Sequence, residues 1–179
     1  MKPIEGKEKR ISCDTLLLST GLIPENDLSK NCGVKLSSIT GGAFVSETLE
    51  TSVQGIFACG NVLHVHDVVD FVTLEAERAG ISAAKYILGN SRKVKRISVE
   101  AGNEIRYVLP QSIRCGVDIE LSIRVTCPRE DVVIEFFDGG TLVKTEKLRK
   151  VHPAQMVKIR LKGSETSGIN SLKAEVLGK

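Results

Sequence analysis

The feature that most constrains this chain is a change of hydrophobic period at one place. Up to Leu88 the apolar residues come in short continuous runs and then in a helical pattern. From Ile97 onward they alternate with polar residues. Continuous runs suit strands covered on both faces, a period near 3.6 suits a helix, and alternation suits half-buried strands of an antiparallel sheet. One chain carrying both patterns in succession is expected to be α/β plus all-β. The switch falls at Gly89, where a glycine suits a left-handed helix cap and the basic run Arg92-Lys93-Val94-Lys95-Arg96 follows. Charge changes there too: residues 1–91 hold 8 Lys+Arg against 11 Asp+Glu, and residues 92–179 hold 17 against 11. The expected organisation is therefore a first unit over 1–91, a basic linker over 92–96 and a β module over 97–179.

Within the first unit, Ile11 to Ser19 contains Leu16-Leu17-Leu18 and reads as an interior strand. Gly41 to Val45 and Gly55 to Cys59 read as shorter strands, and a helix is expected from Asp70, as N-cap, to Leu88. On that helix Phe71, Leu74, Ile81 and Leu88 mark an apolar stripe, while Ala76, Ala79, Gly80, Ala83 and Ala84 form a face of small side chains. In the second unit Ile119 to Val125, Val133 to Phe137 and Met156 to Leu161 alternate, and Asp138-Gly139-Gly140 marks a hairpin. A small antiparallel β-sandwich of about seven strands or fewer is expected.

Composition removes several classes of function. No stretch approaches a membrane-spanning length of apolar residues and no signal peptide is present, so a cytoplasmic protein is expected. Five cysteines without a CxxC argue against a disulfide framework or a zinc ribbon. Aromatic residues make up 4% with no Trp, and a net charge of +3 is small, so no nucleic-acid partner is expected.

Two segments in the first unit point to chemistry: Ser19-Thr20-Gly21-Leu22-Ile23-Pro24-Glu25-Asn26, and Thr51 to Asn61 (TSVQGIFACGN). Each is an apolar run ending in a glycine, which permits a sharp turn and a close backbone approach where open α/β sheets bind ligands. After the second, the chain starts a helix whose N-terminal amides and dipole attract negative charge. A strand, a glycine turn and a helix N-terminus together make a cradle for an anion or cofactor.

At these residues the sequence resembles the FAD-dependent pyridine nucleotide-disulfide oxidoreductase superfamily, and within it a NAD(P)/FAD-dependent branch. STGLIPEN resembles that family's ATG motif, and TSVQGIFACGN resembles its second FAD motif. The resemblance covers roughly residues 1–90. It implies a C-terminal remnant of a flavoprotein with two dinucleotide-binding domains, with FAD and NAD(P)H as cofactors of the parent. It also implies flavin contacts at Thr20, Gly21, Gly60, Asn61 and Val62, and at the helix start near Phe71, Val72 and Thr73. Asn61 stands where most members have Asp. No GxGxxG occurs in the chain, so the expected role is the flavin side of an NAD(P)H oxidoreductase whose N-terminal region lies elsewhere. A noncatalytic scaffold whose sandwich binds a partner subunit is the other reading. No catalytic acid, base or nucleophile is identifiable.

Lesser signals have plainer readings. His64-Val65-His66-Asp67 places two imidazoles on one face of an extended segment, but a metal site needs further ligands and His152 is the only other histidine. No metal is therefore assigned. Cys59 has no partner thiol and reads as a buried structural cysteine.

Overall fold

The computed structural model describes residues 4–19, 21–89 and 95–177. The fold is mixed α/β, with two β-sheets and few helices. After a short helix α1 (Asp27–Asn31), the chain passes through loops and a 3-10 turn at Gly60–Val62 into helix α2 (Val69–Ile87). Eight strands follow: β1 (Arg96–Ala101), β2 (Ile105–Leu109), β3 (Ser112–Arg114), β4 (Ile119–Val125), β5 (Arg129–Asp138), β6 (Thr141–Val151), β7 (Val157–Leu161) and β8 (Ser171–Leu177). A one-turn helix α3 (Gly163–Thr166) joins the last two.

The alternating stretches form strands as their period requires. β4 spans the alternating run Ile119–Val125, and Asp138 and Thr141 are the last pair of the β5–β6 hairpin around Gly139-Gly140. One sheet has the order β3-β1-β8-β5-β6 and the other β2-β4-β7. Their inward side chains, among them Ile113, Leu121, Ile123, Ile134, Phe136 and Leu172, are fully buried between the sheets. The expectation of a purely antiparallel sandwich of at most seven strands is corrected. Among the described residues there are eight, and β1 pairs with β8 in parallel from Ser98↔Ser171 to Ala101↔Ala174. Period cannot distinguish the two directions, because side chains alternate in both.

The first unit departs further from expectation. Ile11 to Ser19 forms no strand; Leu17 is 90% exposed and its neighbours Leu16 and Leu18 are exposed too. A run of this kind is stable as a strand only with hydrogen-bonded neighbours and a layer on each face. Among the described residues nothing supplies them. Gly41 to Val45 and Gly55 to Cys59 are likewise held by single bridges, Leu36↔Ala43, Val45↔Thr51 and Glu50↔Phe57, rather than by ladders.

Helix α2 begins with Val68 at its N-cap position and no side-chain cap, so Asp70 lies in the first turn instead of capping it. Its packed face also differs. Glu75 and Ala79 are buried, flanked by half-buried Phe71, Val72, Ser82, Ala83 and Tyr86, whereas Leu74, Ile81 and Leu88 point to solvent. Neither expected face is the core face: Phe71 of the stripe is half-buried, and of the small residues Ala79 is buried and Ala83 half-buried while Ala76, Gly80 and Ala84 are exposed, so the inward side is a narrow strip around the Glu75 carboxylate. A second core of Val34, Ala43, Val45, Leu49, Ala58, Leu63 and Ala79 includes Tyr107 and Leu109 from β2. Residues 90–94, which carry most of the expected linker, lie outside the described residues, and Arg96 already opens β1. Among the described residues no helix is long and apolar enough to cross a membrane.

Candidate functional site

The site is built around the turn at Gly60. With φ at +70°, Gly60 adopts a backbone conformation that side chains disfavour. Its N–H donates to Glu75 Oε2 at 2.7 Å, tying the turn to the second turn of α2. Beyond it, Leu63 and His64 are fully enclosed. Gly42 presses on this loop so closely that a Cβ there would stand 1.7 Å from the Leu63 carbonyl oxygen. Only glycine allows the two loops to meet.

Asn26 fastens the arrangement. Its buried amide nitrogen donates to the Gly41 carbonyl at 3.0 Å and to the Val62 carbonyl at 2.7 Å. The two segments singled out in the sequence thus meet through the last residue of STGLIPEN. Gly21 is exposed in open space, and Thr20 lies outside the described residues.

Of the other expected contact residues, Asn61 and Val62 are exposed beside the buried Gly60, and Phe71 and Val72 are half-buried on the first turn of α2. Val72 faces Gly60, where a Cβ would touch its Cγ1 at 3.4 Å. Thr73 is exposed and turns its hydroxyl back to the Val69 carbonyl. Asn61 Oδ1 accepts the His66 N–H at 3.1 Å, which folds the loop, and the residue itself is exposed.

Beneath the loop runs a buried polar chain. Arg124 Nε donates to Tyr107 Oη at 3.0 Å, and Tyr107 Oη lies 3.3 Å from His64 Nδ1. His64 Nε2 lies 3.0 Å from Glu75 Oε1. These contacts are all satisfied if Tyr107 donates to His64 and His64 donates to Glu75, a tautomer assigned from its partners. Burial pushes the His64 pKa down, favouring the neutral ring against the pull of Glu75. Burial alone would raise the Glu75 carboxyl. The His64 and His66 rings beside it and the Gly60 N–H outweigh that and hold it at about 2. Glu75 is thus an anion in a largely dry setting. Arg124 also donates to the carbonyls of Pro153 and Val65, so β4 holds the loop from the other side.

His66 is different. Both of its ring nitrogens are buried without a hydrogen-bond partner, and Nε2 lies 3.5 Å from Glu75 Oε2. A cleft of about 650 Å³ opens over these groups, with Ile23, Gly41, His64, His66, Tyr107 and Arg124 in its walls. Cys59 is half-buried, and burial together with the Glu75 charge raises its thiol pKa, so it does not act as a thiolate nucleophile.

Glu75, Tyr107 and Arg124 were not legible as site residues. Glu75 did leave a signal, a lone acid in register with Ala79 and Ala83 on the small-residue side of the helix. Tyr107 and Arg124 lie on strands beyond the period change and carried none.

Residues 1–79, which contain the Gly60 turn and the first half of α2, match the family described as pyridine nucleotide-disulphide oxidoreductase. Over these residues, fewer than half of the chain, the sequence is similar to that family. Over 97% of its length the chain is 29% identical to an NAD(P)H sulfur oxidoreductase (CoA-dependent) of Pyrococcus furiosus, of which it covers 41%. An NAD(P)H coenzyme A polysulfide/persulfide reductase of Pyrococcus horikoshii is 26% identical over 66% of the chain, matching 27% of that protein. A nitric oxide reductase FlRd-NAD(+) reductase of Escherichia coli is 29% identical over half of the chain and 23% of its own length. The chain therefore spans about two fifths, or less, of the length of these relatives. No solved structure matches it.

Proposed function

We propose that this chain supplies the flavin side of an FAD-dependent NAD(P)H oxidoreductase. One observation carries the reading: the Gly60 turn is locked to the start of α2 inside the family-matched stretch, with Asn61 and Val62 exposed at its tip. The residues fit a flavin edge. The N-cap position of α2, Val68, is exposed and carries no side-chain cap; the Phe71 N–H turns back to the Val68 carbonyl at 3.2 Å, and the positive end of the helix dipole faces outward to an acceptor. With Asn61 exposed and its Oδ1 taken up by the His66 N–H, its amide nitrogen is the donor that would meet a ribityl oxygen. Because the 179 residues hold no GxGxxG loop, the proposal gives them the flavin end of the cofactor and not its pyrophosphate.

A bound flavin supplies two-electron transfer from a nicotinamide. The chain's own part is electrostatic and positional. The α2 N-terminus would stabilise negative charge brought to it on reduction. The Gly60–Glu75 bond and the Asn26 staple hold the loop in one conformation, so no reorganisation is needed when that charge appears. The names of the Pyrococcus relatives suggest sulfur species as the final acceptor.

The test is an NMR titration of the chain, labelled on its amide nitrogens, with FAD. Weak, saturable binding is expected, with shifts concentrated at Asn61, Val62 and Val69 to Thr73. Shifts scattered over β1 to β8, or none at saturating FAD, would refute the assignment.

A further inference from the structure

We propose that His64, His66 and Glu75 form a binding site for a divalent transition-metal ion of the zinc class. The proposal is independent of the flavin reading. It starts from His66, whose ring is enclosed with its side chain 1% exposed and neither nitrogen satisfied. Buried polar groups are almost always paired, and an unpaired one costs about 1–3 kcal/mol. His66 Nε2 lies toward the same carboxylate that His64 Nε2 reaches.

The donor set and its spacing suit an ion. One ligand atom from each of the three residues lies within 4.8 Å of the others. His64 Nε2 stands 3.0 Å from Glu75 Oε1 and His66 Nε2 3.5 Å from Glu75 Oε2, so both imidazoles already face the one carboxylate. Drawing them onto a shared ion, with ligand atoms about 3.3 Å apart for metal–ligand bonds of about 2.0 Å, needs only small side-chain shifts. Two imidazoles and a carboxylate favour zinc, cobalt or nickel over magnesium or calcium, which prefer oxygen alone. Three protein ligands leave a fourth position for water or a ligand entering from the cleft, as in open metal sites.

The supporting shell is in place as well. On metal binding the His64 tautomer changes: Nε2 gives up its proton to face the ion, and Nδ1–H donates to Tyr107 Oη. The Gly60 N–H keeps its bond to Glu75 Oε2 and orients the carboxylate. The two histidines converge within a short loop, their rings meeting edge to face with centroids 4.3 Å apart. The third ligand comes from α2, nine residues after His66, and not from His152.

The experiment uses the 179-residue chain freed of metal by a chelator and titrated with Co²⁺ by visible absorption, then with Zn²⁺ by calorimetry. One equivalent is expected, with a tetrahedral cobalt spectrum and full displacement by Zn²⁺. His66→Ala, which removes a ring with no satisfied hydrogen bond and only a 3.5 Å approach to Glu75, is expected to stay folded by circular dichroism. Its affinity should drop by more than the roughly 10–100-fold that losing a supporting group costs, while His152→Ala leaves it unchanged. Absence of binding, equal affinity in folded His66→Ala, loss of binding in His152→Ala, or a thiolate charge-transfer band would each overturn the site. X-ray absorption of the Zn²⁺-loaded wild-type chain keeps the test decisive if His66→Ala does not fold: two imidazoles and oxygen support the site, and sulfur in the shell refutes it.

Discussion

Glu75→Gln perturbs the group on which the candidate site turns. In the native fold the carboxylate accepts from the Gly60 N–H at 2.7 Å and faces His64 Nε2 at 3.0 Å, with 5% of its side chain exposed. The amide can replace both contacts only if its oxygen keeps Gly60 and its nitrogen donates to a His64 of the other tautomer. Two charge-assisted bonds, each about 1.5–3 kcal/mol, then become neutral ones of about 1 kcal/mol. The expected loss at neutral pH is about 2–3 kcal/mol. An independent route agrees: holding the carboxyl at about 2 instead of 4.5 is worth about 3 kcal/mol at ~1.4 kcal/mol per tenfold. A depressed carboxyl contributes in full above its unfolded value and loses that contribution as pH falls through 4.5 toward about 2. His64, held below 6.5 by burial, acts in the same direction and begins to cost stability as pH drops below 6.5. Wild-type stability should therefore decline in two stages on acidification. In Glu75→Gln the carboxylate stage should shrink by the Glu75 share, leaving the His64 stage and the contribution of Glu104, Glu130 and Asp138, whose carboxyls are also held down by their partners. Urea unfolding followed by far-ultraviolet circular dichroism, with chelator present and from about pH 7 to about pH 3, measures both. A variant as stable as wild type at neutral pH, or one with an unchanged acid limb below 4.5, would refute the charge assignment.

Two further substitutions probe the packing that positions the site. Gly42→Ala should cost about 3 kcal/mol or more, because its methyl group would fall 1.7 Å from the Leu63 carbonyl, whereas Gly80→Ala, with open space around it, should stabilise α2 by about 0.5–1 kcal/mol; paired thermal unfolding checks the contrast. Asn26→Ala should cost about 1–3 kcal/mol by stranding the Gly41 and Val62 carbonyls. Asn26→Asp should cost more, since it turns a carboxylate on both of them. Its deficit should shrink on acidification, as the added carboxyl becomes protonated, and denaturant unfolding at two pH values reads this directly.

The period of the second unit determined its strands, because alternation is a local property of a pleated chain with one wet and one dry face. β4 could be read residue by residue, and for the β5–β6 hairpin the turn and the middle of β5 could be, though not the full length of either strand. Whether β1 ran with or against β8 could not, since pairing direction is set by where the chain returns. In the first unit the motif at Gly60 was legible because a positive-φ turn demands glycine, whereas the small face of α2 was read only at Ala79 and Ala83, since Ala76, Gly80 and Ala84 face solvent. Leu16-Leu17-Leu18 misled for the converse reason: burial of a strand depends on neighbours that the run itself does not specify. The site shows the same division. Gly60, Asn61 and the two histidines sit within seven residues and could be picked out in sequence. The Glu75 that ties them together, the Asn26 staple 36 residues from Val62, and Tyr107 and Arg124 from across the period change were decided by the tertiary fold. Their side chains meet only after two loops, a helix and a sheet have packed together, and a one-dimensional pattern records periodicity along the chain, not proximity across it.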